Sequence, residues 1–236
     1  MNLLLIMLIN LKKLEKKLGI TFHNPNLLQE ALTHRSYLNE TKERLPSNER
    51  LEFLGDAVLE LSVSHYLYLA YLDYPEGKLT SLRSAIVNTK MLADVAKKLD
   101  LGNCLYLSKG EEAGGGRNNS SLLADVFEAV LGAVYLDRGT ESVEKILQKF
   151  VFPAVSVIDK NGTYYDYKSL LQEKAQEKHR ITPIYTVIKE EGPDHAKTFY
   201  SAVFIDQLKI GEGKGKSKQE AEQAAAQAAL EAWESK

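Results

Sequence analysis

The sequence predicts a two-domain fold, with an all-α domain at residues 1–152 followed by a small α+β domain at residues 166–236. In the first domain apolar residues recur every three to four positions, and no alternating strand pattern occurs. In the second, short segments alternate apolar and polar residues as strands do. Between them, Pro153 and the pair Asn161-Gly162 interrupt the pattern, which predicts a linker over residues 153–165.

Capping residues and apolar stripes predict the first helices. Seven apolar residues from Leu3 to Ile9 are too few for a membrane span, which needs about 20, and no signal-peptide features flank them. They open a core helix. Asn24 followed by Pro25 starts the next helix, and Ser47-Asn48 caps a third. The expected helices are Leu3 to Leu18, Pro25 to about Leu32, and Glu49 to about Tyr71.

The rest of the first domain is also predicted to be helical, interrupted by a glycine-rich loop. The three consecutive glycines Gly114-Gly115-Gly116 place this loop at residues 110–120. The expected helices are Lys78 to Leu99, Leu122 to about Leu136, and Ser142 to Phe152.

The second domain is predicted to have the order helix, three strands, helix (α-β-β-β-α). An alanine-rich final helix can pack closely on a sheet, so both helices are expected on one face of an antiparallel sheet. The expected elements are a helix from Tyr167 to His179, strands at Ile184–Ile188, Phe199–Phe204 and Leu208–Lys214, and a helix from Lys218 to Trp233.

Composition limits the kinds of function. Hydrophobic residues make up 44% and charged residues 26%, which is ordinary for globular proteins and excludes a disordered or fibrous chain. The formal net charge of −2 favours no partner, so nucleic-acid binding would depend on local patches. The single cysteine, Cys104, excludes an intrachain disulfide framework and a cysteine-rich metal site. It favours a reducing, intracellular setting, and we expect the cytoplasm.

Five acidic residues lie in strongly apolar segments. Glu49, Glu52 and Asp56 fall within roughly 60° of one another on a helix of 3.6 residues per turn. Asp125 and Glu128 share a face at i and i+3 of another helix. Burying unpaired carboxylates is costly, so a cation that neutralises both sets is expected. Oxygen ligands favour Mg²⁺ or Mn²⁺ over Zn²⁺, and such a site suits phosphoryl transfer.

The alternative is that these carboxylates are solvated faces of amphipathic helices. That alternative is fair for Glu49 and for Glu60, which lies one turn beyond Asp56, so spacing alone leaves the role of Glu60 open. It is weak for Asp125 and Glu128, because almost no other residue of that helix is charged. His34 is expected to be a structural hydrogen-bonding residue.

Two of these segments resemble the motifs of a known family. The run Asn48–Leu59 resembles the signature of ribonuclease III, Leu122–Ala129 resembles its second acidic motif, and Ala31–Tyr37 is similar to its first helix and turn. The resemblance covers the whole chain. It implies a Mg²⁺-dependent homodimeric endonuclease that cleaves double-stranded RNA, such as ribosomal RNA precursors. The products would have 5′-phosphate and 3′-hydroxyl ends with two-nucleotide 3′ overhangs.

The resemblance also implies roles for individual residues. Asp56 and Glu128 would be catalytic, Glu49 and Glu76 would be supporting acidic residues, and Phe53 would insert into the partner subunit. Plain core packing is the alternative for Phe53. Mn²⁺ would substitute for Mg²⁺, and no small-molecule cofactor or membrane is implied. The metal ligands would be Glu52, Asp56, Asp125 and Glu128.

The second domain resembles a double-stranded RNA-binding domain, through Lys168–Glu173, Pro183–Tyr185, Gly192–His195 and Gly211–Ala221. Cations before an alanine-rich helix place positive charge where the helix dipole also favours phosphate. Such domains contact minor grooves and the phosphates between them. Because Gln219 and Glu222 depart from the basic pattern, we expect weak binding and a shallow salt dependence. The implied RNA-binding residues are Ser169, Gln172, Glu173, His195, Lys214, Lys216, Ser217 and Lys218.

Two other functions compete with the nuclease. A catalytically silent relative would bind double-stranded RNA without cleaving it, and a metal-stabilised helical scaffold would need the ion only for folding. A silent RNA-binding relative would have no chemical need for four carboxylates in apolar helices. The complete set in this sequence therefore favours the enzyme over that alternative.

Overall fold

The computed structural model describes residues 3–41, 46–161, 167–193 and 196–234. The chain divides into two compact units, 1–164 and 165–236, which are described separately. The described part of the first unit is helical, with one isolated bridge between Thr33 and Tyr106. The second unit has a helix, three antiparallel strands and a final helix. The predicted fold class is confirmed.

The helices of the first unit follow the capping signals closely. The side chain of Asn24 accepts a hydrogen bond from the backbone N–H of Asn26, as expected of a cap. The helices are α1 (Leu3–Leu18), α2 (Pro25–Ala31), α3 (Glu49–Ala70), α4 (Glu76–Ile86), α5 (Thr89–Leu99), α6 (Lys109–Ala113), α7 (Ser120–Arg138), α8 (Thr140–Phe150) and α9 (Phe152–Asn161).

Helix α7 forms the centre of this unit. It packs against α2, α3, α5 and α8, and Phe127, Val130 and Ala133 on it are completely buried. A helix that is apolar on most sides is stable only when neighbours surround it. Two acidic residues in the middle of α7, Asp125 and Glu128, are only partly buried. These two residues therefore lie where the neighbouring helices leave α7 partly exposed to solvent.

Two predictions for the middle of this unit were wrong in detail. The single helix expected over residues 78–99 is two helices, because the Asn88 side chain accepts a hydrogen bond from Met91 N and caps α5. The predicted loop at residues 110–120 contains most of α6. There Ser108 Oγ accepts a hydrogen bond from Glu111 N at 3.1 Å, so a capped turn forms ahead of the glycines.

The linker prediction was wrong for residues 153–161, which lie in α9. Pro153 is in the first turn of that helix, where its missing N–H removes no helical hydrogen bond. Two contacts hold α9 in the helical unit: Phe152 stacks on Tyr66 at 4.0 Å between ring centroids, and Tyr74 Oη donates to Asp159 Oδ2 at 2.9 Å. Residues 162–166 lie outside the described part of the chain.

The second unit consists of α10 (Tyr167–His179), β1 (Ile184–Glu191), β2 (Thr198–Ile205), β3 (Leu208–Gly215) and α11 (Lys218–Glu234). The strands lie in the order β1-β2-β3 and are antiparallel. Both helices pack on one face, where Leu171, Val203 and Ala225 share a core. Helix α11 lies so close to β3 that a Cβ on Gly213 would be 2.2 Å from Ala225 N. The glycines and alanines of this segment therefore serve helix–sheet packing.

Candidate active site and nucleic-acid interface

Two glycines bring α3 and α7 into backbone contact. A Cβ on Gly55 would lie 1.8 Å from the carbonyl oxygen of Glu128, and a Cβ on Gly132 would lie 2.2 Å from the carbonyl oxygen of Leu51. No side chain larger than hydrogen fits at either position without moving a helix. Because the acidic residues flank these glycines, the contact brings the two acidic motifs together.

Three of the four predicted metal ligands meet at this contact. Glu52 on α3 and Asp125 and Glu128 on α7 each present a carboxylate oxygen, and these oxygens lie within 4.8 Å of one another. All three side chains are partly buried. We call these three residues the carboxylate cluster.

Asp56, the fourth predicted ligand, lies beside the carboxylate cluster with an exposed side chain. Its charge raises the pKa of both Glu52 and Glu128, which places it on the same side of the helix pair. It is not among the three residues whose oxygens converge. The structure therefore separates three inner carboxylates from one at the edge.

The carboxylate cluster has an unbalanced negative charge. Burial, followed by the charges of Asp56, Asp125 and Glu52, raises the pKa of Glu128 to about 8. Burial is also the main cause that raises the pKa of Glu52 and of Asp125. Among the described residues, no lysine or arginine forms an ion pair with any of the three, since the arginines nearby pair with Glu49 and Glu60. Among the described residues, therefore, no lysine or arginine offsets the charge of the cluster.

The donor atoms fit a hard divalent cation. All are carboxylate oxygens, with no sulfur or imidazole nitrogen among them, and oxygen ligands favour Mg²⁺ or Mn²⁺. A divalent ion would also offset the repulsion that raises the pKa of Glu128. The residues therefore fit the predicted metal in two respects, their oxygen donor atoms and their negative charge.

A cleft of about 440 Å³ opens beside the carboxylate cluster. Its lining contains both carboxylates and side chains with N–H groups. The lining residues are the acidic Glu49, Glu52 and Asp125, the N–H-bearing His34, Arg35 and Asn48, and the apolar Leu105, Leu107 and Leu122. An anionic substrate in this cleft would need both a cation and hydrogen-bond donors.

The other acidic residues have partners of their own. Arg35 Nη1 lies 3.6 Å from Glu49 Oε1, at the rim of the cleft. Glu76, at the start of α4, accepts a hydrogen bond from Thr80 Oγ1 at 3.1 Å and lies outside the carboxylate cluster. Glu60 lies 3.8 Å from Arg83 Nε. The open question about Glu60 is thereby answered by geometry: it pairs with α4 and does not join the cluster.

Phe53 is on the surface, with 81% of its side chain exposed. The alternative that it packs in the core is wrong for this chain. Leu61 and Tyr68, within about 80° of it around α3, are also exposed, as is Leu72 just beyond the helix. We call Phe53, Leu61, Tyr68 and Leu72 the α3 stripe.

In the second unit, the described RNA-binding candidates are all exposed. Ser169 and Gln172 on α10 line a surface pocket with Tyr185 of β1 and with Gln219 and Gln223 of α11. Glu173, Lys214, Lys216, Ser217 and Lys218 are also on the surface. His195 lies outside the described residues.

The start of α11 is capped by its own residues. Ser217 Oγ accepts a hydrogen bond from Glu220 N at 3.1 Å, and the carboxylate of Glu220 accepts one from Lys216 N at 2.7 Å. Ser217 therefore has a capping role as well as a place on the predicted surface. Glu222 lies 2.6 Å from Lys168 Nζ, so a lysine of the same unit offsets its charge.

Comparison with known proteins identifies the family. A ribonuclease-III-like model matches residues 24–155, and a double-stranded RNA binding motif matches residues 167–232. The chain belongs to the ribonuclease III family. It is 49% identical to Ribonuclease 3 of Enterococcus faecalis over 222 residues, covering 92% of this chain and 95% of that protein. It is also 49% identical to Ribonuclease 3 of Geobacillus kaustophilus over 224 residues, covering 93% and 89%.

Solved structures agree with this assignment. The nuclease domain of ribonuclease III from Campylobacter jejuni, in a structure described as flexible in a region involved in dimer formation, matches with a TM-score of 0.56. It is 42% identical, and the match covers 60% of this chain and 95% of that one. The chain is thus an endoribonuclease of the ribonuclease III family with a double-stranded RNA-binding domain. Among the described residues, no helix is long and apolar enough to cross a membrane.

Sequence reasoning missed several residues of this ribonuclease III site. Gly55 and Gly132 were not singled out, although a glycine inside a helix costs about 1 kcal/mol relative to alanine and so signals a packing need. Asn48 was expected to cap α3, but its side chain makes no capping hydrogen bond. His34 does have the expected structural role, since its Nδ1 accepts from Ser36 N at 3.3 Å and caps the short helix Arg35–Asn39.

Proposed function

We propose that this protein cleaves double-stranded RNA as a Mg²⁺-dependent homodimer, with Mn²⁺ able to replace Mg²⁺. The products would have 5′-phosphate and 3′-hydroxyl ends and two-nucleotide 3′ overhangs. The observation that carries the proposal is the carboxylate cluster at the Gly55–Glu128 contact. Family membership establishes the endoribonuclease, whereas the cation, the product ends and the dimer are the proposed steps.

The carboxylate cluster would hold the cation through Glu52, Asp125 and Glu128, with Asp56 as a further ligand at the edge. When bound, Mg²⁺ activates a water and stabilises the leaving oxygen in phosphodiester hydrolysis. Because the pKa of Glu128 is about 8 without a cation, this side chain carries a proton at neutral pH. Binding of a divalent ion would release that proton and leave Glu128 ionised. Glu128 would thus take up its catalytic role, beside the catalytic Asp56, only in the loaded enzyme.

The α3 stripe supports the dimer. Monomeric proteins rarely expose contiguous apolar patches of this kind, and a two-fold dimer would cover the same stripe on both subunits. Phe53 is the residue of the stripe closest in sequence to Glu52 and Asp56, so the interface would adjoin both carboxylate clusters. Two clusters in one dimer would allow each subunit to cut one strand.

The second unit would bind the RNA duplex by its shape. Ser169, Gln172 and Glu173 on α10 would face a minor groove, as would His195. Exposed lysines at the end of β3 and the start of α11 would face phosphates, where the helix N-terminus also favours an anion. The phosphate-facing residues would be Lys214, Lys216, Ser217 and Lys218.

Structured precursors such as ribosomal and messenger RNA are the proposed substrates, and the cytoplasm is the proposed compartment. The single cysteine supports a reducing setting. Supporting roles for Glu49 and Glu76 also remain predictions. Glu49 lines the cleft, which favours a role for it in the site, whereas Glu76 has only its contact with Thr80 among those described here.

A cleavage assay tests the proposal. The full chain is incubated with a long, perfectly paired RNA in Mg²⁺, Mn²⁺, Ca²⁺ or EDTA, with Glu128→Gln alongside, and both product ends are mapped. We expect short duplexes with the stated ends, from the unaltered protein in Mg²⁺ or Mn²⁺. Binding without cleavage in every metal would support the silent RNA-binding alternative. Cleavage in EDTA would remove the metal from the proposal.

A further inference from the structure

The cleft beside the carboxylate cluster is lined by two polar residues that are not proposed metal ligands, His34 and Asn48. Arg35 lines the same cleft. Arg35 already pairs with Glu49 at 3.6 Å. His34 and Asn48 each have at least one side-chain N–H group without a partner among the described residues.

Asn48 is 4% exposed, although it lines the cleft. Its backbone is fully used, since its N–H donates to Thr33 O at 2.9 Å and its carbonyl accepts from Glu52 N at 2.8 Å. Its side chain makes no capping hydrogen bond, and no partner for the amide occurs within the described ranges. A buried amide without a partner is costly unless a ligand completes its hydrogen bonds.

His34 is held with one ring nitrogen occupied. Ser36 Oγ lies 2.8 Å from His34 Nδ1, and Ser36 N also donates to that nitrogen. Ser36 Oγ accepts from Ser108 N at 3.1 Å, so its own O–H is free to donate to Nδ1. Nδ1 is therefore an acceptor, and the neutral imidazole carries its proton on Nε2. This network leaves Nε2–H as the free donor of a residue that lines the cleft.

We propose that the Asn48 amide and the His34 Nε2–H bind a phosphate oxygen of the RNA strand that is cleaved. The inference rests on the proposed function. The carboxylates of the cleft repel a phosphodiester, whereas the N–H groups of these two residues hold one oxygen of it by N–H···O bonds. The pair would set the position of the strand relative to the carboxylate cluster, and the metal would be held by other residues.

The variants separate this role from a structural one. Asn48→Ala removes an amide that makes no hydrogen bond to the described residues, so folding should be unaffected. His34→Asn keeps an acceptor that can cap the helix Arg35–Asn39 but removes the Nε2–H donor. His34→Gln supplies an N–H near the Nε2 position and should recover part of the activity. Gln148→Ala, an exposed change that lines a different pocket on α8, is the matched control.

The readouts are kcat/KM on a paired RNA, the melting temperature, and the Mg²⁺ concentration for half-maximal rate. We expect Asn48→Ala and His34→Asn each to lower kcat/KM by roughly 10- to 100-fold, as for loss of a hydrogen bond to a charged group. Melting temperature and Mg²⁺ dependence should not change. Unaltered kcat/KM in both variants would overturn the proposal. A rise in the Mg²⁺ concentration for half-maximal rate that accompanies the loss of kcat/KM would also overturn it, because the residues would then act on metal binding.

A substrate change makes the test specific. Phosphorothioates are placed singly at phosphates around the cut, which weakens the hydrogen-bond acceptor at one site. At the contacted phosphate, sulfur should lower the cleavage rate of the unaltered protein. It should lower the rate of Asn48→Ala little further, because that variant has already lost the hydrogen bond that sulfur weakens. Additive losses at every phosphate would refute the contact. If the unaltered protein does not cleave in Mg²⁺, the proposed function has failed, which is a different result.

Discussion

Gly55 on α3 lies directly against the backbone carbonyl of Glu128 on α7, where a Cβ atom would be 1.8 Å from the oxygen. The close packing of α3 and α7 at this point also sets the positions of the carboxylates. Two helices can approach this closely only where a side chain is absent, and the approach brings Glu52 to within reach of Asp125 and Glu128. The position of the carboxylate cluster therefore depends on a residue that has no functional group.

Gly55→Ala should damage both folding and metal binding. The new methyl group would meet backbone, which cannot rotate away, so the helices must separate at a cost of about 1–3 kcal/mol or more. Gly110→Ala is the control, since a Cβ there meets only the Ser108 hydroxyl at 3.9 Å. Chemical denaturation and Mg²⁺-dependent cleavage measure the two effects. A Gly55→Ala protein with normal stability and activity would show that the contact is not needed.

The metal-free protein should lose stability as pH rises. The pKa of Glu128 is about 8 in the folded chain, against 4.5 for an ordinary glutamate, so the folded state binds the extra proton between these values. Stability then falls as pH increases from roughly 4.5 to roughly 8. Mg²⁺ should restore it most at the upper end of this range.

Thermal melts in EDTA and in Mg²⁺ from pH 5 to pH 9 measure this effect. Glu128→Gln should remove most of the pH dependence over this range and much of the stabilisation by Mg²⁺. If the melting temperature in EDTA rises steadily with pH over the same range, burial of Glu128 does not control the stability of the site.

Phe53→Glu should separate the subunits and leave the fold of each intact. Since 81% of Phe53 is exposed in the single chain, the change removes little packing. A charge at the centre of an apolar interface opposes association strongly. Sedimentation should show a monomer, and Val157→Glu, an exposed change on α9 at a residue that is not part of the stripe, should remain dimeric. A dimeric Phe53→Glu protein would exclude the α3 stripe as the interface.

Lys216→Ala should weaken RNA binding uniformly across sequences and reduce the salt dependence of binding by about one charge. Lys209→Ala is the matched control, because Lys209 is an exposed lysine at the opposite end of β3. Binding is measured with Glu128→Gln in a salt series, so that the RNA stays uncut. Equal effects of the two lysine variants would mean that the second unit attracts RNA by overall charge alone.

Much of the fold and part of the site could be predicted from the sequence. Spacing placed Asp125 and Glu128 on one face of a helix, and alternation placed the three strands. Spacing cannot show which two helices touch, because that depends on Gly55 and Gly132 meeting backbone across the contact. The sequence also could not show that the Asn48 amide lacks a capping hydrogen bond, because asparagine in this position ordinarily caps a helix. Helix α9 was not predicted, because a proline ends a helix when it lies in the interior but is favoured in the first turn. Pro153 occupies the first turn of α9.

The most direct test of the metal site is calorimetric titration of Mg²⁺ and Mn²⁺ into the unaltered protein and Glu128→Gln near pH 7. Comparison of two buffers with different ionisation enthalpies reports protons released on binding. We expect the unaltered protein to bind the ion and release a proton, because Glu128 is largely protonated there. In the variant we expect greatly weakened binding without that release. Equal binding by both proteins would contradict the assignment of the carboxylate cluster as the metal site.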